Sequence, residues 1–72
     1  MKFPSNLRTA RIACNLTQAQ LAQRLGYKDR RVVSELERGK TQPTALLIKS
    51  AADVLNVSPC WLAGWERDDA RD

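Results

Sequence analysis

Residues 16–39 read LTQAQLAQRLGYKDRRVVSELERG, and their end signals divide the stretch into two short helices. Thr17 followed three positions later by Gln20 is a capping box, in which each side chain takes up an amide left free at the helix start. Leu16 is placed to meet Leu21 as a hydrophobic staple. Leu21, Ala22 and Leu25 fall at helical spacing, and Gly26 supplies the left-handed residue that stops the helix. Asp29 then offers its carboxylate to the free amides of a helix running to Arg38, with Gly39 closing it. Only Tyr27 and Lys28 remain as connection, so the two helices are expected to cross steeply rather than lie side by side.

A helical wheel of the second helix, at about 100° per residue, sorts its side chains. With Arg30 at zero, Val33 falls near 300° and Leu36 near 240°, which sets the core direction, with Val32 and Glu37 on its flanks. Arg30, Arg31, Ser34, Glu35 and Arg38 point the other way. A solvated basic face accounts for such a pattern in an arbitrary helix about half the time, but the short turn and the caps favour a helix that is presented. Arginine offers the two-pronged donor that matches guanine O6 and N7, and a helix start carrying Arg30 and Arg31 can approach phosphate. Glu35 is expected to restrain a neighbouring arginine in preference to accepting from a cytosine amino group.

Outward from this pair the chain reads as all-helical, with five segments, no repeats and no strand-like alternation. The first is expected from about Ser5 to Asn15, capped by Ser5 or Asn6, with Leu7, Ala10, Arg11 and Cys14 on its inner stripe. An arginine in that stripe demands a partner. After the polar loop Lys40-Thr41-Gln42-Pro43, Thr44 caps a helix that turns Ala45, Ile48, Ala51, Ala52 and Leu55 inward and ends at Asn56. Leu46 and Leu47 widen its apolar face beyond one stripe, leaving one of them for solvent, for another subunit, or for contact with the tail through Trp65. Ser58-Pro59 opens a last short helix, in which Trp61 is expected to plug the core before Gly64. Residues 1–65 form the expected domain and 66–72 a flexible charged tail.

The chain has 72 residues, room for one modest core. Its 12 basic and 8 acidic side chains give +4. Setting residues 66–72 aside leaves ten against four, an excess that suits a polyanionic partner and equally a solvated surface. There is no histidine, and Cys14 and Cys60 stand 46 positions apart without a CxxC pair, so neither imidazole chemistry nor metal-ligand spacing is present. No cofactor is expected. No secretory signal precedes the cysteines and no stretch approaches the ~20 apolar residues of a membrane span, so reduced thiols in a cytoplasm are expected. Cys14 is expected to pack as a small hydrophobe and Cys60 to be inert.

Four pieces together, LTQAQLAQRLG at 16–26, VVSELERGK at 32–40 with Pro43 after the polar loop, and NVSPCWLAG at 56–64, resemble the phage-repressor type of helix-turn-helix regulator that includes Cro proteins and lambda-repressor-like domains. The resemblance spans Leu7 to Gly64 and implies that fold. It also implies an ion pair between Arg11 and Glu37, the partner that the inner stripe requires. By the same resemblance Thr17 and Gln18 contact the DNA backbone, and Gln18 braces the first residue of the recognition helix. Arg30, Arg31 and Glu35 would read base edges, while Lys40, Thr41 and Gln42 follow the backbone. The segment between Gly26 and Glu37 is one residue longer than the commonest family spacing, which a longer turn or an earlier helix start must absorb. A shift of one brings Lys28 into the contacting set.

The leading expectation is a sequence-specific DNA-binding transcriptional regulator, a Cro-like or prophage-type repressor in a bacterial cell or the nucleoid of a phage-infected host. One short helix reads few base pairs, so two copies are expected on a pseudo-palindrome with half-sites roughly 34 Å apart. Their contact would be small, around Leu46, Trp61 and Trp65, and compatible with a monomer when free. An antitoxin subunit repressing its own operon, or a protein-interaction module that does not bind nucleic acid, are the alternatives. An enzyme is disfavoured, since no glycine-rich phosphate loop joins the missing histidine and metal cluster.

Overall fold

The computed structural model describes residues 2–65. Five helices follow one another: α1 (Phe3–Ala13), α2 (Gln18–Arg24), α3 (Arg31–Glu37), α4 (Ala45–Leu55) and α5 (Pro59–Ala63). The expected charged tail of 66–72 lies outside the described residues. Among those described, no helix is long and apolar enough to cross a membrane.

Each helix starts and stops for reasons visible in its own chemistry. Thr17, Thr44 and Ser58 sit in extended backbone and accept from the amides of Gln20, Leu47 and Trp61, satisfying donors that have no acceptor inside the helix. The capping box is complete, with the Thr17 amide donating to Gln20 Oε1 at 2.9 Å and the Gln20 amide to Thr17 Oγ1 at 3.0 Å. All five helices end in one geometry. A left-handed residue, Asn15, Gly26, Gly39, Asn56 or Gly64, follows the last turn, and the next amide bonds back to the carbonyl five residues earlier. The pairs are Leu16 to Arg11, Tyr27 to Ala22, Lys40 to Glu35, Val57 to Ala52 and Trp65 to Cys60.

α1 begins two residues ahead of the expected start. Phe3 is 1% exposed, and its burial, worth about 1.5–3 kcal/mol, draws the chain into the helix early. Pro4 does not interrupt it, because a first-turn residue needs no amide. Ser5 and Asn6 therefore do not cap α1. They lie inside it, and Asn6 Nδ2 reaches the Trp61 carbonyl at 2.7 Å, tying α1 to α5.

The core is built from Phe3, Leu7, Ala10, Leu21, Ala22, Val33, Leu36, Ile48, Ala51, Ala52, Leu55 and Leu62. α1 packs on α3 and α5, α2 on α3, and α4 on α5, so α3 is held from behind by two helices. Three inward expectations are corrected. Cys14 is exposed, because the helix ends at Ala13 and Asn15 turns the chain left-handed; its thiol donates to the Leu55 carbonyl at 3.5 Å. Ala45, in the first turn of α4 beside the Thr44 cap, is exposed. Trp61 is half-buried against the core; in so short a helix a single side chain, Leu62, faces the interior fully.

Candidate nucleic-acid interface

α3 starts where its dipole end needs a carboxylate. Asp29 Oδ1 accepts from the Arg31 amide at 2.9 Å, while Arg30 already has helical dihedrals and its carbonyl accepts from the Ser34 amide at 3.0 Å. Asp29 thus does the capping, and residues 25–30 connect α2 to α3. Val33 and Leu36 are buried and turn the opposite side of the helix outward. On that side Asp29, Arg30, Arg31, Ser34 and Arg38 line one shallow depression of about 260 Å³.

A second, wider hollow of about 590 Å³ lies between the α1–α2 turn and the start of α3. Thr17 and Gln18 line it together with Arg30, so the start of α2 and the start of α3 border one surface. Ile12, half-exposed, and Asn15 line it too. Sequence reasoning missed both. The signal for Asn15 was its type, since asparagine is the residue after glycine that best tolerates left-handed backbone.

A largely buried polar network forms one wall of the wider hollow, through Arg11 and Gln18. Arg11 Nε donates to Glu37 Oε2 at 2.6 Å and Arg11 Nη2 to Glu37 Oε1 at 3.1 Å, with side chains only 12% and 4% exposed. Gln18 Nε2 donates to the same Glu37 Oε1 at 3.1 Å, and Arg11 Nη1 to the Leu16 carbonyl at 2.8 Å. One carboxylate therefore joins the end of α3 to α1 and to the first turn of α2. Gln18 braces the last residue of α3, Glu37, where the first had been expected.

Glu35 also differs from expectation. Its Oε1 accepts from Thr41 Oγ1 at 3.4 Å, so it meets the following loop in place of an arginine. Lys28, Arg30, Arg31, Arg38 and Lys40 are exposed and have no ion-pair partner among the described residues, where Arg11–Glu37 is the one salt bridge. Gln42 and Thr41 are exposed in the loop beside Lys40. Leu46 and Trp65 are 74% and 60% exposed. No group of His, Cys, Asp and Glu that could hold a metal occurs among the described residues.

This arrangement, a basic helix face braced from within by a buried ion pair and bordered by a capped partner helix, is what a protein offers to a duplex groove. A family model described as helix-turn-helix matches residues 7–62. Among solved structures, the chain is similar to the restriction-modification controller protein C.AhdI from Aeromonas hydrophila. The two are 36% identical with a TM-score of 0.77, over 85% of this chain and 91% of that one. Among curated proteins no relative matches.

Proposed function

Because the chain belongs to the helix-turn-helix family of DNA-binding transcriptional regulators, we propose that it represses transcription by binding a pseudo-palindromic operator as a homodimer, with α3 in the major groove. Arg30, Arg31, Ser34 and Glu35 face base edges. Thr17, Gln18, Lys28, Arg38, Lys40 and Gln42 face the sugar-phosphate backbone. The observation that carries the reading is the depression lined by Asp29, Arg30, Arg31, Ser34 and Arg38, whose three guanidinium groups form no salt bridge among the described residues and outnumber its one carboxylate, itself engaged by the Arg31 amide. An excess of positive charge on a braced helix attracts phosphate. A second copy would meet the first through Leu46, Trp61 and Trp65, and each copy would read one half-site.

The likeness to C.AhdI supports a second version of the same reading, in which the genes controlled are those of a restriction-modification system rather than a phage switch. Selecting bound duplexes from a random pool tests both. A symmetric consensus is expected, and footprinting it upstream of neighbouring genes separates the two versions. With Lys28, Arg38 and Lys40 on each of two copies, affinity should fall by about 10³-fold or more between 50 and 200 mM salt. Binding that ignores salt, or a pool that yields no consensus, would leave a protein-interaction module as the better account. Capture of a co-encoded partner by the purified chain would favour the antitoxin alternative.

A further inference from the structure

α3 carries two carboxylates, and they have different surroundings. Glu37 is enclosed by Arg11 and Gln18. Glu35 lies on the flank of the arginine face and is half-buried, with Oε1 held by the Thr41 hydroxyl. A carboxylate is an acceptor with two oxygens, and one is taken up here. A bare carboxylate brought against a polyanion is unfavourable; one that meets a base-edge donor is not.

Resting on the DNA-binding reading above, we propose that Glu35 selects cytosine in each half-site, its Oε2 accepting from the exocyclic N4 amino group in the major groove, and that Thr41 is the positioning residue that aims it. The chemistry restricts the choice of base. Guanine presents O6 and N7 and thymine presents O4, all acceptors that repel a carboxylate. Adenine pairs its N6 donor with an adjacent N7 acceptor, whereas cytosine presents the amino group alone. Arg31, one turn before it on α3, has the opposite preference, for guanine, so the reader face carries both signs and discriminates in both directions.

Thr41 stays within reach for a backbone reason. The Lys40 amide bonds to the Glu35 carbonyl at 3.0 Å and the Gly39 amide to the Leu36 carbonyl at 3.2 Å, which folds the loop back over the last turn of α3. The side-chain bond itself, at 3.4 Å, is long for a hydroxyl and a carboxylate. Expulsion of water at a DNA surface strengthens it. A hydroxyl has one proton to give, so a Thr41 committed to Glu35 is not a phosphate donor. This assigns Thr41 to specificity, and leaves the backbone contacts of its loop to Lys40 and Gln42.

The test uses the full chain and the duplex selected from a random pool, with affinity measured for that duplex and for versions changed at single base pairs. The wild-type chain should lose roughly 5- to 150-fold when the cytosine facing Glu35 becomes thymine, the span of one good base contact. Glu35→Ala should bring that ratio near one while preference at the pair facing Arg31 is kept. Thr41→Val should lower the same ratio at least about threefold, Thr41→Ser should restore it, and Thr41→Val should add nothing on an Glu35→Ala background. A purely structural role for Thr41 would weaken all sequences alike, and that result would overturn the assignment. So would a ratio that Thr41→Val leaves unchanged, or a consensus in which no base pair responds to Glu35→Ala. A pool that yields no consensus defeats the DNA-binding reading instead, so the two failures are distinct. Thr41 is exposed and Glu35 half-buried, and thermal melting of each variant separates misfolding from lost readout.

Discussion

Arg11 and Leu16 hold each other twice across the α1–α2 turn. The Leu16 amide donates to the Arg11 carbonyl at 3.1 Å, and Arg11 Nη1 donates back to the Leu16 carbonyl at 2.8 Å. The same guanidinium grips Glu37 of α3 through its other nitrogens. A single side chain thus fixes where α2 begins and where α3 ends, which sets the spacing between the Thr17–Gln18 edge and the arginine face.

The network predicts an asymmetric response to mutation. Glu37→Gln leaves Arg11 with a charge that is 12% exposed and has no anion, and should cost about 3–5 kcal/mol, measured by urea unfolding. Replacing both partners with apolar residues of similar volume, as in Arg11→Met with Glu37→Leu, should cost much less than Glu37→Leu alone, because no charge then remains buried. Equal losses for the single and double variants would mean that the Coulombic attraction, rather than desolvation, dominates.

Two glycines separate backbone strain from steric conflict. Gly26 has φ +92°, and a Cβ built on it meets nothing within 4 Å, so Gly26→Ala should cost only the left-handed penalty, about 1–2 kcal/mol. Gly64 has φ +78°, and the same atom would lie 2.8 Å from the Cβ of Lys2. That neighbour is fixed to its backbone and cannot rotate away. Gly64→Ala should therefore be the more damaging of the two in thermal melts, at roughly 4–8 °C per kcal/mol for a chain this size.

The capping box at Thr17 should behave as a purely local element. Thr17→Ala removes the acceptor for the Gln20 amide and should cost about 0.5–2 kcal/mol, whereas Thr17→Ser retains it and should be close to wild type in urea unfolding. A loss in the serine variant as large as in alanine would show that the methyl group, and not the cap, carries the stability.

What the sequence made legible is local chemistry of this kind. Thr17, Thr44 and Ser58 act on amides three residues away, and Gly26, Gly39 and Asn56 stop helices by their own backbone preference, so five helices can be read without a partner in view. Contacts made across the fold escape such reading. The cap signal at Ser5 and Asn6 lost to the burial of Phe3 and to a bond from Asn6 to Trp61, 55 positions away. Cys14 follows the stripe of Leu7 and Ala10 on a wheel, yet Asn15 ends the helix before the wheel applies to it. The side-chain partners of Gln18 and Glu35 depended on how α2 meets α3 and how the Lys40–Gln42 loop folds back, which no spacing encodes.

Arg31 and Lys40 should separate base reading from backbone attraction. Arg31 is on the lining of the α3 depression, where a guanidinium can offer two parallel donors to a guanine; Lys40 follows Gly39, at the end of the helix, as a point charge on a flexible stem. Arg31→Ala should cost about 1–3 kcal/mol on the selected duplex and relax preference at one base pair. Lys40→Ala should weaken every duplex by a similar factor and make the slope of log affinity against log salt shallower by about one unit per copy. Gel-shift titrations of both variants against matched and mismatched duplexes at several salt concentrations distinguish the roles. Unchanged preference in Arg31→Ala, with loss of preference in Arg30→Ala or Lys28→Ala, would move the reading register one position back along the turn that leads into α3.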